Sequence, residues 1–205
     1  NTHVFTQVFN QPDRFGGDEK FAEGLVNRLS ILSAAPTSQK DTGSAPYVKT
    51  SVFGGGDIKD SIWNFSGMSA PIKILQDNTY GVGVTVSTPP LPDTPNFDGT
   101  VRSAPLIVSA NDQIYPSVAL ETLRAFYDQP NYQTRVTPEV GIEWIRMGRQ
   151  PPIQTTSTSD VMITYWNDFD RISASDLTEK TLHGHDGISD KILIWGMTAE
   201  GFNNP

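Results

Sequence analysis

The chain has 205 residues, a formal net charge of −8 and no cysteine. That length suits one large domain or two small ones, and all-β barrels and sandwiches commonly reach it undivided, with enough buried surface to need no metal or disulfide. The acidity argues against nucleic acid and anionic membranes, which call for basic surfaces, and the missing thiols exclude thiol catalysis, thiolate metal sites and a disulfide framework.

Val4-Phe5-Thr6-Gln7-Val8-Phe9 opens the chain as a predicted strand, closed by Asn10-Gln11-Pro12-Asp13. Imperfect alternation over Gly24 to Leu32 predicts a second strand, followed by a Ser/Thr/Pro/Gly loop from Ser33 to Ala45. Tyr47 to Phe53 is the next strand, broken by Gly54-Gly55-Gly56-Asp57. Ile62 to Phe65 and Ile72 to Leu75 follow as short strands, and Asp77-Asn78 is expected to turn into a strand over Tyr80 to Ser87. Within that strand Tyr80, Val82, Val84 and Val86 share one face. Gly81 and Gly83 leave the other bare, which signals a bulge or the close approach of another backbone.

Four prolines within Pro89 to Pro95 impose an extended loop. Leu106 to Val108 reads as strand. Ser117 to Tyr127 is the one good helix candidate, with Ser117 as N-cap and Leu120, Leu123 and Tyr127 on one face. Further strands are expected near Val140 to Ile145, Val161 to Trp166 and Lys191 to Met197. With no repeat and no alternating strand–helix rhythm, the expected fold is mainly β. It is an antiparallel barrel or sandwich of short strands with long loops and at most one or two short helices. No apolar run approaches the roughly 18 residues of a membrane span. Neither terminus shows a signal pattern or a tail, so residues 1–205 are expected to be one domain cut from a longer polypeptide.

Few residue patterns point to chemistry. Asp41-Thr42-Gly43-Ser44 matches the tripeptide of aspartic proteases, but it stands alone and follows Ser38-Gln39-Lys40 instead of an apolar strand. Gly54 to Lys59 lacks the Gly-Lys-Ser/Thr ending of a phosphate loop. Asn64-Phe65-Ser66 fits the pattern of a glycosylation acceptor, which matters only in a secretory pathway. His183, His185 and Asp186 offer two imidazoles and a carboxylate beside a turn signal, with no fourth metal ligand at a defined spacing. Trp166, Asn167, Asp168 and Asp170 combine an aromatic face with amide and carboxylate groups, the mixture that sugar-binding surfaces use. Trp63, Trp144 and Trp195 sit in strand patterns and are expected in the core. These residues form no catalytic constellation and call for no cofactor. The chain is therefore expected to bind rather than to catalyse, with Trp166, Asn167, Asp168, Asp170, His183, His185 and Asp186 as the ligand-binding candidates.

Taken whole, the chain resembles the capsid spike domain of astroviruses in its avian form. The likeness rests on the acidic, cysteine-free composition, the short strands at Tyr80 to Ser87, Val140 to Ile145 and Ile192-Leu193-Ile194-Trp195, and the long Ser/Thr/Pro loops. It covers the whole chain in character, without a diagnostic motif. The resemblance implies a capsid-type polyprotein as parent and a homodimeric spike on the virion surface, assembled in host cytoplasm. Its partners would be a host receptor or glycan and antibodies, with no nucleic acid and no membrane insertion. A non-viral or phage carbohydrate-binding adhesin is the alternative, and a glycoside hydrolase using Asp168 and Asp170 is the second.

Overall fold

The computed structural model describes residues 1–39, 45–86, 100–165, 169–174 and 190–196. Strand makes up 38% of it against 18% helix, so the expectation of a mainly β fold holds. Among the described residues the strands form several small sheets, and no barrel closes.

The principal sheet differs from the antiparallel arrangement expected. Strand β1 (Thr2–Phe5) pairs in parallel with β2 (Leu29–Thr37) on one side and with β14 (Ile192–Trp195) on the other. Strand β6 (Gly81–Val84) adds in parallel to β2, and β5 (Gly67–Ser69) pairs antiparallel with the end of β2. Between β1 and β2 runs helix α1 (Gly17–Leu25), making a strand–helix–strand unit with parallel strands. A second helix, α2 (Lys73–Asn78), precedes β6.

Two sequence expectations therefore change. Gly24 to Leu32 is the end of α1, a turn and the start of β2, and β2 runs on to Thr37 through the stretch expected as loop. The physical reason lies in burial. Ser30 to Ala34 is buried without a break, so this strand is covered on both faces and shows no alternation. Lys73 to Asn78 is likewise helix, with Ile72 at its N-cap, where a strand and turn were expected. Gln76 Nε2 donates to Pro71 O at 2.6 Å, Asn78 Nδ2 donates to Ile74 O at 2.8 Å, and Leu75 alone of the helix is buried.

The expected helix over Ser117 to Tyr127 forms as α3 (Val118–Phe126), and the Ser117 side chain caps it by accepting from Leu120 N. Its buried positions are wider than one stripe: Leu120, Glu121, Thr122, Arg124 and Ala125 are all covered. One side lies on the principal sheet, where Val118 and Ala125 meet Val4 and Ile31. Leu120 joins a second core with Ile107, Tyr132, Ile142 and Ile145. That core is built largely from β10 (Tyr132–Thr137) and β11 (Gly141–Arg146), which belong to a sheet ordered β12-β11-β10-β3 with β3 (Thr50–Gly54) and β12 (Ile153–Gln154). The opposite face of the principal sheet carries Leu32, Ala34, Val82 and Val84 against Ala22, Leu25 and Leu75 of the first two helices. Helices thus cover both faces of a parallel sheet.

The remaining strands are β4 (Asn64–Phe65), β7 (Ser103–Pro105), β8 (Ile107–Ala110), β9 (Gln113–Pro116) and β13 (Asp160–Met162), paired as β4-β8-β9 and β13-β7. Of the tryptophans expected in the core, Trp63 is exposed, and Trp144 and Trp195 are only half-buried.

Candidate functional site

The bare face of β6 is where the structure places its most unusual side chains. A Cβ built on Gly83 would stand 2.5 Å from Val118 Cα and 2.7 Å from Val118 N, so the start of α3 lies directly on this strand. One turn further along α3 the space over Gly81 is filled by Glu121, whose Oε1 would lie 2.0 Å from a Cβ there. The two missing side chains let α3 approach closely and make room for a carboxylate against the sheet. The sequence expectation of a close backbone approach holds, and the occupant is an acid.

Glu121 is 1% exposed and Arg124 is 7% exposed. Arg124 Nε donates to Glu121 Oε2 at 2.8 Å and Nη2 donates to Oε1 at 2.6 Å, a two-point fork within one turn of helix. Nη1 donates to Gln129 O at 2.6 Å, and Gln129 N donates back to Arg124 O at 2.9 Å. The guanidinium carbon lies 5.2 Å from the centre of the Tyr80 ring, in cation–π range. Tyr80 itself is held by its backbone N–H to Ser30 O at 3.1 Å.

Burial pushes the Glu121 carboxyl up from its ordinary range, and the Arg124 hydrogen bonds and charge oppose that rise. Arg124 is pushed up in turn, first by its hydrogen bond to Glu121. A buried pair of this kind does not stabilise a fold by much, because desolvation offsets the attraction; removing one partner is what costs. Behind the pair, Tyr132 is fully buried and its hydroxyl has no hydrogen-bond partner among the described residues. Its pKa is pushed up by burial and then by the Glu121 charge.

The pair forms one wall of a cavity of about 310 Å³ whose other walls include Tyr47, Lys49, Gln76 and Tyr80. An adjoining depression of about 500 Å³ shares Thr79 and Tyr80 with it. Both lie at the amino ends of β2 and β6. The arrangement offers a fixed guanidinium, an aromatic face and amide and ammonium donors around a space suited to a small polar molecule.

Of the residues expected from the sequence as ligand-binding, only Asp170 lies among the described residues. Trp166, Asn167, Asp168, His183, His185 and Asp186 lie outside the described residues, as does the Asp41-Thr42-Gly43-Ser44 segment. Asp170 is exposed on the surface. Gly54 ends β3, and Asp57 caps a short 3-10 turn by accepting from Lys59 N at 3.0 Å. Glu121 and Arg124 escaped the sequence reading. The available signal was an acid and a base three residues apart among apolar helix positions, opposite two glycines.

The sequence profile of the CHASE2 domain family matches residues 4–205. No curated protein and no solved structure matches the chain. CHASE2 domains are extracellular sensory domains of bacterial signalling proteins. The family match overturns the likeness to an astrovirus spike, and with it the virion-surface location, the attachment to a host receptor or glycan, the antibody partners and the homodimeric spike. The alternatives of a phage or other adhesin and of a glycoside hydrolase gain no support. The likeness rested on acidity, absent cysteine and short strands between polar loops, and none of these is peculiar to capsids; the parallel sheet with helices on both faces is a different architecture. With all but the first three residues inside the match, the chain belongs to the CHASE2 domain family.

Proposed function

We propose that this chain is the ligand-sensing part of a bacterial signalling protein, acting on the outer side of the membrane, and that it binds without catalysis. Its recognition site is the cavity over Glu121 and Arg124. The observation that carries this reading is the ion pair kept dry in a cavity wall, for which packing alone gives little return. A ligand with a hydrogen-bonding polar group meets a guanidinium already oriented by Glu121 and by Gln129 O, so little ordering accompanies binding. Tyr80 supplies the flat wall and Gln76 and Lys49 the further donors.

The test is a thermal-shift screen of small polar compounds (amino acids, organic acids, sugars and nucleosides) on the wild-type chain, with each hit titrated by calorimetry against Glu121→Gln and Arg124→Lys. Lysine keeps the charge but loses the fork, so a compound recognised here should bind at least tenfold more weakly to Arg124→Lys. Hits that bind both variants as tightly as wild type would place recognition elsewhere.

A further inference from the structure

At the opposite end of the principal sheet four aromatic rings converge. Phe5 is the last residue of β1 and Trp195 the last of β14, and the two are direct neighbours in the parallel register. Their rings lie 5.9 Å apart and 11° from parallel. Phe21 of α1 meets Phe5 edge-on at 5.2 Å, and Phe9 lies 5.1 Å from Phe21 and 6.4 Å from Phe5. Trp195 is also near-parallel to His3 at 6.1 Å, and its Nε1 donates to His3 Nδ1 at 3.2 Å, which fixes the indole in place. Between these rings is a cavity of about 320 Å³ lined by Phe5, Gln7, Phe9, Phe21, Trp195 and Gly196.

We propose that this crevice is a second binding site, for a small, uncharged molecule carrying a flat aromatic ring. Three observations point to it. The position is the carboxyl end of two adjacent parallel strands, with β2, the strand that follows β1 in sequence, on the far side of β1; open sheets of this kind bind ligands in the crevice formed there. All four rings are only half-buried, with Phe5, Phe9 and Phe21 packed against the edge of the core that contains Leu32 and Val82, so their outer surfaces form an apolar patch. Among the described residues no charged side chain lines the cavity, and Gln7 supplies the one polar side chain. Ring faces and edges in that arrangement select a flat ring through offset and edge-on contacts, and the amide suits a single ring N–H or oxygen at its rim. No described residue lines both this crevice and the Arg124 cavity.

Indole is the probe. The 205-residue chain has four tryptophans, and the side-chain N–H signal of Trp195 is assigned in a nitrogen-15 spectrum by its loss in Trp195→Phe. Adding indole should shift that signal saturably and leave the Trp63 and Trp144 signals in place. Phe21→Leu and Phe9→Leu, each checked for an unchanged circular-dichroism spectrum, should weaken indole at least tenfold. Phe15→Ser removes an aromatic that is 96% exposed and outside the crevice, and should leave the affinity unaltered. Cyclohexanol, similar in size but without an aromatic ring, should bind at least tenfold more weakly than indole. The proposal is overturned if indole gives no saturable shift, if the two crevice variants that keep their fold bind it as wild type does, or if cyclohexanol binds equally well.

Discussion

The two ends of the principal sheet solve opposite problems with the same framework. At the amino ends of β2 and β6 the chain buries full charges, Glu121 and Arg124, and must supply each with hydrogen bonds to keep them there. At the carboxyl ends of β1 and β14 it leaves apolar rings half-exposed. Each departs from what folding alone would favour, since charges belong in water and aromatic surface out of it. One parallel sheet covered by helices on both faces carries both departures.

The largest effect should come from removing one charge at the polar end. Arg124→Met leaves Glu121 beside the sheet without a partner, and breaking a buried pair in this way costs about 3–5 kcal/mol. The cost depends on pH, with a definite sign. Burial already raises the Glu121 carboxyl above its unfolded value of 4.5, and Arg124 opposes that rise; in the variant the opposition is gone and the carboxyl moves further up. A raised acid contributes stability in full below its unfolded value and loses it as pH climbs through the folded one. Arg124→Met should therefore be least destabilised near pH 4.5 and progressively worse toward pH 7.5, as read from urea unfolding at the two ends. Equal costs at both pH values would show that Glu121 is not the group left stranded. Phe21→Leu at the aromatic end exposes no charge, and its cost should stay below about 1.5 kcal/mol at either pH.

An intermediate effect is expected from Gly83→Ala. The added methyl meets the Val118 backbone at 2.5–2.7 Å, so α3 must lift from β6, at a cost of about 1–3 kcal/mol. Lifting α3 disturbs the seat of Glu121 and leaves the crevice untouched. Ligands of the polar cavity should weaken in this variant while the Trp195 side-chain signal keeps its position. If that signal moves as far as signals from α3 do, the two ends are coupled and not independent.

How far the sequence announced these sites follows from the same physics. The glycine face of β6 and the Ser117 cap were legible, because each is a local pattern with a local cause. The parallel order was hidden, since β2 is buried on both faces and offers no period, and α1 shows few apolar residues beyond Phe21, Ala22 and Leu25. The Glu121–Arg124 pair was hidden for a different reason: a helical acid and base three apart normally describe a solvated face, and only tertiary packing turns them inward. The aromatic crevice joins residues near both ends of the described chain, and no local pattern could have brought Trp195 to Phe5. The ligand-binding expectation centred on Trp166 and His183 falls, apart from Asp170, outside the described residues.

The smallest change tests what lies behind the polar wall. Tyr132 keeps its hydroxyl fully buried with no partner among the described residues, near enough to Glu121 and Arg124 to feel both charges. An unsatisfied buried hydroxyl costs roughly 1–3 kcal/mol, so Tyr132→Phe should leave the fold unchanged or stabilise it by up to about that amount. The Tyr80–Arg124–Glu121 geometry does not use this hydroxyl, and its loss should leave an Arg124-dependent ligand bound as before. Stability is read by thermal unfolding and affinity by calorimetry on the same sample. A destabilisation of more than about 1 kcal/mol would mean that the hydroxyl is satisfied in solution. In that case Tyr132 belongs to the polar end as a working member, and the hydrogen-bonded set around Arg124 reaches one layer deeper, into the core shared by β10 and α3.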